Sequence, residues 1–129
     1  MTVPLIDREL PADASAVSSL RHLVVHLARH YGAGGAALDR IAIAISEAVS
    51  NVVLHAYEPG DEGVVHFAAD VERGDLQVLV SDHGHGFRPR NSAGLGLGLP
   101  LIAQNSSDFS ITETVDGVDV WMRFVVPAS

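Results

Sequence analysis

The chain has 129 residues with 16 acidic and 8 basic side chains, and its net charge of −8 argues against nucleic acid or an anionic membrane as a partner. All 8 basic residues are arginine and there is no cysteine, which excludes a P-loop, Schiff-base chemistry, disulfides, thiolate metal sites and cysteine nucleophiles. The length predicts one domain over residues 1–129, and because no long apolar run or signal peptide is visible, a cytoplasmic location is expected.

The first elements in chain order are a weak edge strand over residues 2–10 and a helix that follows it. Asp13 or Ser15 is positioned to cap this helix, and the glycine-rich segment 32–35 ends it. Its apolar residues recur at three- and four-residue intervals and form one stripe: Val17, Leu20, Val24, Leu27 and Tyr31.

A second helix is predicted from about Leu38 to Tyr57, and after it the apolar period becomes alternating. That alternation predicts four strands over residues 64–71, 76–82, 109–115 and 118–126. Gly74–Asp75 and Asp116–Gly117 are the expected hairpin turns, and a short helix over 97–105 follows a glycine-rich loop. This order predicts an α+β fold, a two-layer α/β sandwich with helices on one face of a mixed, mostly antiparallel sheet.

The first candidate motif lies on the second helix, where Glu47, Asn51 and His55 recur every four residues. Residues at this spacing are neighbours on one side of a helix. A carboxylate and an amide one turn apart can place a general base or hold a metal-bound water. A solvated helix face would show the same spacing, so the helix by itself favours a structural interpretation.

The second motif, Asp82-x-Gly84-x-Gly86, follows the second long strand. Glycines allow the backbone to come close to a flat ligand, and the carboxylate can accept a hydrogen bond from an exocyclic amine of that ligand. A tight strand-to-loop turn would have the same sequence, so this motif is a weak signal when taken alone.

The third motif is a run of alternate glycines, Gly94, Gly96 and Gly98, that leads into the short helix. Free N–H groups at a helix start form an anion site. A dinucleotide-binding turn is the alternative, but that turn follows the first strand of a βαβ unit. Arg88 and Arg90 lie between the two glycine motifs and are candidates for phosphate contact.

The histidines supply a further, weaker set of candidates. His22, His26 and His30 recur every four residues but lie opposite the apolar stripe, which favours a solvated face over a metal site. His83 and His85 form a pair for which no further zinc ligands are identifiable.

In this order, the three motifs resemble those of the GHKL ATPase superfamily. They are Glu47-x3-Asn51, Asp82-x-Gly84-x-Gly86 and Gly94-x-Gly96-Leu97-Gly98-Leu99. The segment Ser46–Asn51, followed by His55–Tyr57, is especially similar to the bacterial anti-sigma factor serine kinases of sporulation and stress-response switches. The resemblance covers nearly the whole chain and implies the same α/β sandwich.

The resemblance implies ATP and Mg²⁺ as cofactors and assigns roles within the motifs. Asn51 would bind the Mg²⁺ that bridges the phosphates. Glu47 would act as general base on a partner's hydroxyl or orient it, and Asp82 would accept a hydrogen bond from the adenine amine. The remaining predicted nucleotide-binding residues are the glycine motifs and the two arginines that are candidates for phosphate contact: Gly84, Gly86, Arg88, Arg90, Gly94, Gly96, Leu97, Gly98 and Leu99.

The resemblance also implies a function: an anti-sigma factor and ATP-dependent protein-serine kinase that phosphorylates a STAS-type anti-anti-sigma partner and sequesters a sigma factor. A homodimer is implied, without direct contact to nucleic acid or membrane.

The sequence departs from the family pattern in three places, and two of these departures, the short lid and Val118, favour a second hypothesis. The lid segment 87–93 is short, Leu95 stands where many members have Arg, and Val118 stands where Thr is frequent. The second hypothesis is a non-catalytic binding module for a sigma factor or STAS protein, either nucleotide-gated or nucleotide-independent. The ATP-binding domain of a sensor histidine kinase is disfavoured, because too few residues precede the second helix for a dimerisation hairpin.

Overall fold

The computed structural model describes residues 4–58, 60–84 and 92–126, with backbone alone over 92–98. The elements are β1 (Ile6–Pro11), α1 (Ala14–His30), α2 (Gly35–Asn51), a π-helical segment (Val52–Ala56), β2 (Val64–Glu72), β3 (Asp75–Asp82), α3 (Ser92–Asn105), β4 (Asp108–Thr114) and β5 (Gly117–Val125). The strands form one sheet in the order β1-β2-β3-β5-β4. All four pairings are antiparallel, whereas the sequence predicted a mixed, mostly antiparallel sheet.

The core lies between the sheet and the three helices, as the predicted two-layer α+β sandwich requires. Cross-strand register puts Phe67, Val80, Val120 and Ile111 in one row, and the first three of these are buried. α2 contacts both α1 and α3 and is the middle helix of the layer. No helix in the described part of the chain is long and apolar enough to span a membrane.

α1 begins where the sequence predicts. Asp13 is its N-cap, and the Asp13 carboxylate accepts a hydrogen bond from the Ser15 backbone N–H at 2.9 Å, which satisfies a free helix-end donor. The buried residues follow the expected helical spacing: Ala16, Leu20, Val24 and Ala28. Tyr31, predicted to extend the apolar stripe, is instead 36% exposed because it lies at the C-cap, where the helix has ended.

The second helix differs from its prediction at the carboxyl end. α2 begins at Gly35 and is α-helical only to Asn51, after which Val52–Ala56 form a π-helical turn. Hydrogen bonds in a π-helix join residues five apart, so His55 lies on a turn that is no longer α-helical, and its alignment with Glu47 and Asn51 stays a prediction.

Both hairpin turns lie one residue earlier than predicted. Glu72 pairs with Asp75, so Arg73 and Gly74 form the first loop, and both have positive φ (53° and 82°), as a type I′ turn requires. Thr114 pairs with Gly117, so Val115 and Asp116 form the second loop. Pairing register decides which two residues turn, and the Gly-Asp and Asp-Gly pairs alone do not specify it.

The third helix begins at Ser92, five residues earlier than predicted, so the three alternate glycines lie inside α3 and do not precede it. α3 packs against α2, and tertiary packing of this kind overrides the low intrinsic helix propensity of glycine.

Gly117→Ala is expected to lower the free energy of unfolding by about 2–3 kcal/mol. Gly117 has φ +140°, and an added Cβ would lie 1.9 Å from the Asp82 carbonyl oxygen. Gly35→Ala is the matched control because a Cβ there meets nothing within 4 Å, and it should be neutral or stabilising by up to about 1 kcal/mol. Urea unfolding of both variants measures the difference, and equal stabilities would contradict the close contact at Gly117.

Candidate functional site

A cleft between α2 and the sheet brings together Asn51 and Asp82, which the sequence supplied in separate motifs. The other six residues that line it are apolar: Ala48, Val52, Val80, Ile111, Val118 and Val120. Apolar walls with a few convergent polar groups are typical of small-molecule sites. The apolar walls and the acceptor carboxylate suit recognition of a flat, largely apolar group that presents a hydrogen-bond donor.

Asp82 is the most unusual side chain of the cleft. It is the last residue of β3 and is only 5% exposed. Its carboxylate accepts a hydrogen bond from the Gly84 backbone N–H at 2.9 Å, and the Val118 backbone N–H also favours its ionised form. Burial nevertheless raises the pKa of Asp82 above its ordinary value, because desolvation outweighs the effect of these two N–H groups. A carboxyl group kept in a cleft at this cost is a candidate for ligand recognition.

Gly84 and Gly117 pack backbone against backbone on either side of Asp82. An added Cβ at Gly84 would lie 1.8 Å from the Ala56 carbonyl oxygen, and one at Gly117 would lie 1.9 Å from that of Asp82. Glycine is therefore required at both positions by the protein's own packing, whereas the sequence suggested that the glycines after Asp82 make room for a ligand. These contacts join the end of β3 to the π-helical turn and to the start of β5.

Glu47 and Asn51 lie one turn apart in the last α-helical turns of α2, and both are partly buried. α2 is regular through Asn51, so the predicted same-side alignment of this pair holds. Asn51 and its neighbour Ala48 line the cleft, and Glu47 lies at the preceding turn. The geometry therefore supplies a carboxylate close to, but outside, the part of the cleft that Asp82 occupies.

The remaining predicted site residues belong to the glycine motifs. Gly86, Arg88 and Arg90 lie outside the described residues. Gly94, Gly96, Leu97 and Gly98 lie within α3, and Leu99, in the same helix, is partly buried. α3 packs beside α2, the helix that carries Glu47 and Asn51.

Tyr57 has no role predicted from the sequence, although it lies at the edge of the site in the structure. The Tyr57 hydroxyl donates to the Val64 carbonyl oxygen at 2.6 Å and accepts from the His83 backbone N–H at 3.0 Å. The only sequence signal for Tyr57 is its place at the end of the second-helix motif. Val118 was noted for a missing hydroxyl, whereas its backbone N–H favours the ionised form of Asp82.

Across residues 4–58, 60–84 and 92–126, no group of three His, Asp or Glu side chains could hold a metal ion. His22, His26 and His30 are exposed, as expected for a solvated face. An amide oxygen such as that of Asn51 still fits Mg²⁺, which keeps several waters and takes one or two protein oxygens together with ligand phosphates.

Comparison with known proteins identifies relatives of two kinds, serine-protein kinases and anti-sigma F factors. The chain is 32% identical over 87 residues to serine-protein kinase RsbW of Staphylococcus epidermidis, covering 67% of this chain and 55% of the relative. It is 28% identical over 84 residues to anti-sigma F factor of Clostridium botulinum, covering 63% of this chain and 59% of the relative. The matched segment thus spans little more than half the length of these curated relatives.

A solved structure is also similar. The structure of the RsbU and RsbW domains of Rv1364c from Mycobacterium tuberculosis matches with a TM-score of 0.76 at 24% identity, over 98% of this chain and 34% of that chain. This likeness supports the fold described above. The family model for the histidine kinase-like ATPase domain matches residues 10–124, which include every element from α1 to β4 and nearly all of β5. The chain therefore belongs to the histidine kinase-like ATPase domain family.

Proposed function

We propose that this chain is an anti-sigma factor and an ATP-dependent protein-serine kinase that phosphorylates a STAS-type anti-anti-sigma partner. The observation that carries the proposal is the cleft that contains Asn51 and the buried Asp82, with Glu47 one helical turn away. Membership of an ATPase domain family supports nucleotide use. The names of the relatives, a serine-protein kinase and an anti-sigma F factor, support the two halves of the proposal.

The proposed ligand is ATP with Mg²⁺, which would supply the phosphoryl group to be transferred. The apolar walls would contact the faces of adenine, and the Asp82 carboxylate would accept a hydrogen bond from its exocyclic amine. Asn51 would offer its side-chain oxygen to Mg²⁺. The proposed phosphate and adenine contacts are completed by the two glycine motifs and the arginines between them: Gly84, Gly86, Arg88, Arg90, Gly94, Gly96, Leu97, Gly98 and Leu99.

Glu47 is the proposed catalytic residue. Phosphoryl transfer depends mostly on positioning and on electrostatic stabilisation, and a carboxylate within reach of the attacking hydroxyl can orient it and accept its proton. The place of Glu47, partly buried and one turn from Asn51, suits a hydroxyl presented by a second protein at the mouth of the cleft.

The proposed partners are a STAS-domain protein, a sigma factor and a second copy of this chain, with residues 1–129 acting as one domain in the cytoplasm. The net charge of −8 suits a basic DNA-binding protein, and sigma-factor binding should then weaken as salt is raised. Leu79 and Trp121 are paired neighbours on the sheet face away from the helices, and both are partly buried. The proposed homodimer would form by packing of a second copy of the chain on this face of the sheet.

ATP with Mg²⁺ is expected to raise the thermal midpoint of the protein by about 8–12 °C at a hundred times its dissociation constant, because a ligand that binds only the native state stabilises it. Differential scanning fluorimetry with and without the nucleotide measures this shift. An unchanged thermal midpoint at millimolar ATP would contradict the proposed kinase activity and favour the second candidate.

The second candidate is a binding module that holds a sigma factor or STAS protein without using nucleotide. The observation that favours it is Val118, which lines the cleft but offers no side-chain hydroxyl to a ligand. A protein that captured its partner equally well with and without ATP, and transferred no phosphate, would support the module.

A further inference from the structure

We propose that Tyr57 is a positioning residue for the nucleotide site, because its hydroxyl takes the place of a backbone hydrogen bond at the strand end that carries Asp82. This inference rests on the proposed nucleotide-binding function. It concerns a side chain outside the residues that line the cleft.

The β2–β3 register explains what the hydroxyl does. Val65 pairs with Asp82 at the last rung of this antiparallel ladder, so the next opposed pair along the same register is Val64 and His83. In a regular ladder the His83 N–H would bond directly to the Val64 carbonyl. Instead the His83 N–H donates to the Tyr57 hydroxyl at 3.0 Å, and that hydroxyl donates to the Val64 carbonyl at 2.6 Å. The hydroxyl is thus inserted as a relay between the two strands.

The surrounding packing fixes the tyrosine in this role. A Cβ added at Gly63 would lie 2.2 Å from the ring carbon Cδ2 of Tyr57, so the ring lies directly on the backbone just before β2. The adjacent Ala56 is fully buried, and its carbonyl oxygen lies close to the backbone of Gly84. Two consecutive residues at the end of the second helix therefore hold the two residues that follow Asp82.

The consequence for the site is geometric. Tyr57 directly follows the helical segment that carries Glu47 and Asn51. The strand end held by the relay carries Asp82, whose carboxylate accepts a hydrogen bond from the Gly84 N–H at 2.9 Å. Loss of the relay would leave a donor and an acceptor unpaired and would free the strand end. Asp82 would then be held less accurately relative to Asn51, and recognition of the adenine amine would suffer more than phosphate binding.

The test uses Tyr57→Phe, which keeps the ring on Gly63 and removes only the hydroxyl. Binding of ATP and of inosine triphosphate, each with Mg²⁺, is measured by calorimetry below the unfolding temperature of every variant. Inosine triphosphate carries a carbonyl oxygen where ATP carries the exocyclic amine, so the ratio of the two affinities reports on Asp82. Tyr31→Phe is the matched control, since Tyr31 lies at the exposed C-cap of α1.

Tyr57→Phe is expected to weaken ATP binding about tenfold and to lower the preference for ATP over inosine triphosphate at least about threefold. In a protein that already carries Asp82→Asn, adding Tyr57→Phe should have little further effect on that preference. A merely structural role would weaken both nucleotides equally. An unchanged preference, or an equal loss for both nucleotides, overturns the inference alone. A wild-type protein that binds neither nucleotide overturns the proposed function and this inference with it.

Discussion

Glu47→Ala is expected to slow phosphate transfer from ATP to a partner serine by about 10²–10⁴-fold, the range for loss of a general base. ATP affinity should change little, because Glu47 lies one turn from Asn51 and does not line the cleft that holds Asp82. The measurement is the single-turnover rate of phosphate transfer at saturating ATP, together with calorimetric binding of ATP with Mg²⁺.

Two further variants sharpen this prediction. Glu47→Gln keeps the shape and hydrogen bonding of the side chain without its basicity, so it should be nearly as slow as Glu47→Ala if the carboxylate accepts a proton, and faster if it only orients the hydroxyl. Glu72→Ala is the control, since Glu72 is exposed at the end of β2. A Glu47→Ala protein that transfers phosphate at the wild-type rate would show that the base is assigned to the wrong residue.

Asp82→Asn is expected to weaken ATP binding by about 10- to 100-fold, because a hydrogen bond to a charged group is lost and an amide replaces the carboxylate. The nucleotide-free variant should nevertheless be at least as stable as the wild type at pH 7. Asparagine retains an oxygen that can accept a hydrogen bond from the Gly84 N–H. The substitution also removes a negative charge from a residue that is only 5% exposed. Calorimetry and urea unfolding measure the two effects.

The pH dependence of this difference follows from the sign of the pKa shift. Burial raises the pKa of Asp82 above its ordinary 3.8, so the folded protein holds the proton more tightly than the unfolded chain does. The cost of the ionised group is absent below pH 3.8, grows as the pH rises through the raised pKa, and is complete above it. The stability advantage of Asp82→Asn should therefore shrink as the pH is lowered toward 3.8.

The control for this pair of effects is Asp116→Asn, at the exposed turn before β5. It should change neither ATP affinity nor the pH dependence of stability. An Asp82→Asn protein that bound ATP as tightly as the wild type, or that was markedly less stable at pH 7, would mean that Asp82 is retained for folding and not for ligand recognition.

The fold was largely predictable because its signals are local. The helical spacing that buries Leu20 and Val24 and the cap at Asp13 depend on neighbouring residues alone. The hairpin turns were predicted one residue late, because register depends on which strands pair and not on the turn residues themselves. The π-helical turn after Asn51 leaves no mark in the apolar period, so the second helix was predicted to run on to Tyr57.

The candidate site was predictable in its parts and less so in its construction. Asp82 and Asn51 were identified in separate motifs, and the family resemblance supplied the expectation that they act together. The relay through Tyr57 could not be predicted, since it depends on the β2–β3 register, which ends at Val65 and Asp82 and brings His83 opposite Val64 when it is extended by one residue. The requirement for glycine at Gly84 likewise depends on a contact with Ala56, which lies far away in the sequence.

The most direct test of the proposed kinase is a phosphate-transfer assay with γ-labelled ATP, Mg²⁺ and the STAS proteins whose genes lie near the gene for this chain. The proposed kinase should move label to one serine or threonine of a STAS protein, transfer should require Mg²⁺, and Glu47→Ala should slow it by about 10²–10⁴-fold. Wild-type protein that binds ATP but leaves every such STAS protein unlabelled would contradict the proposed kinase activity.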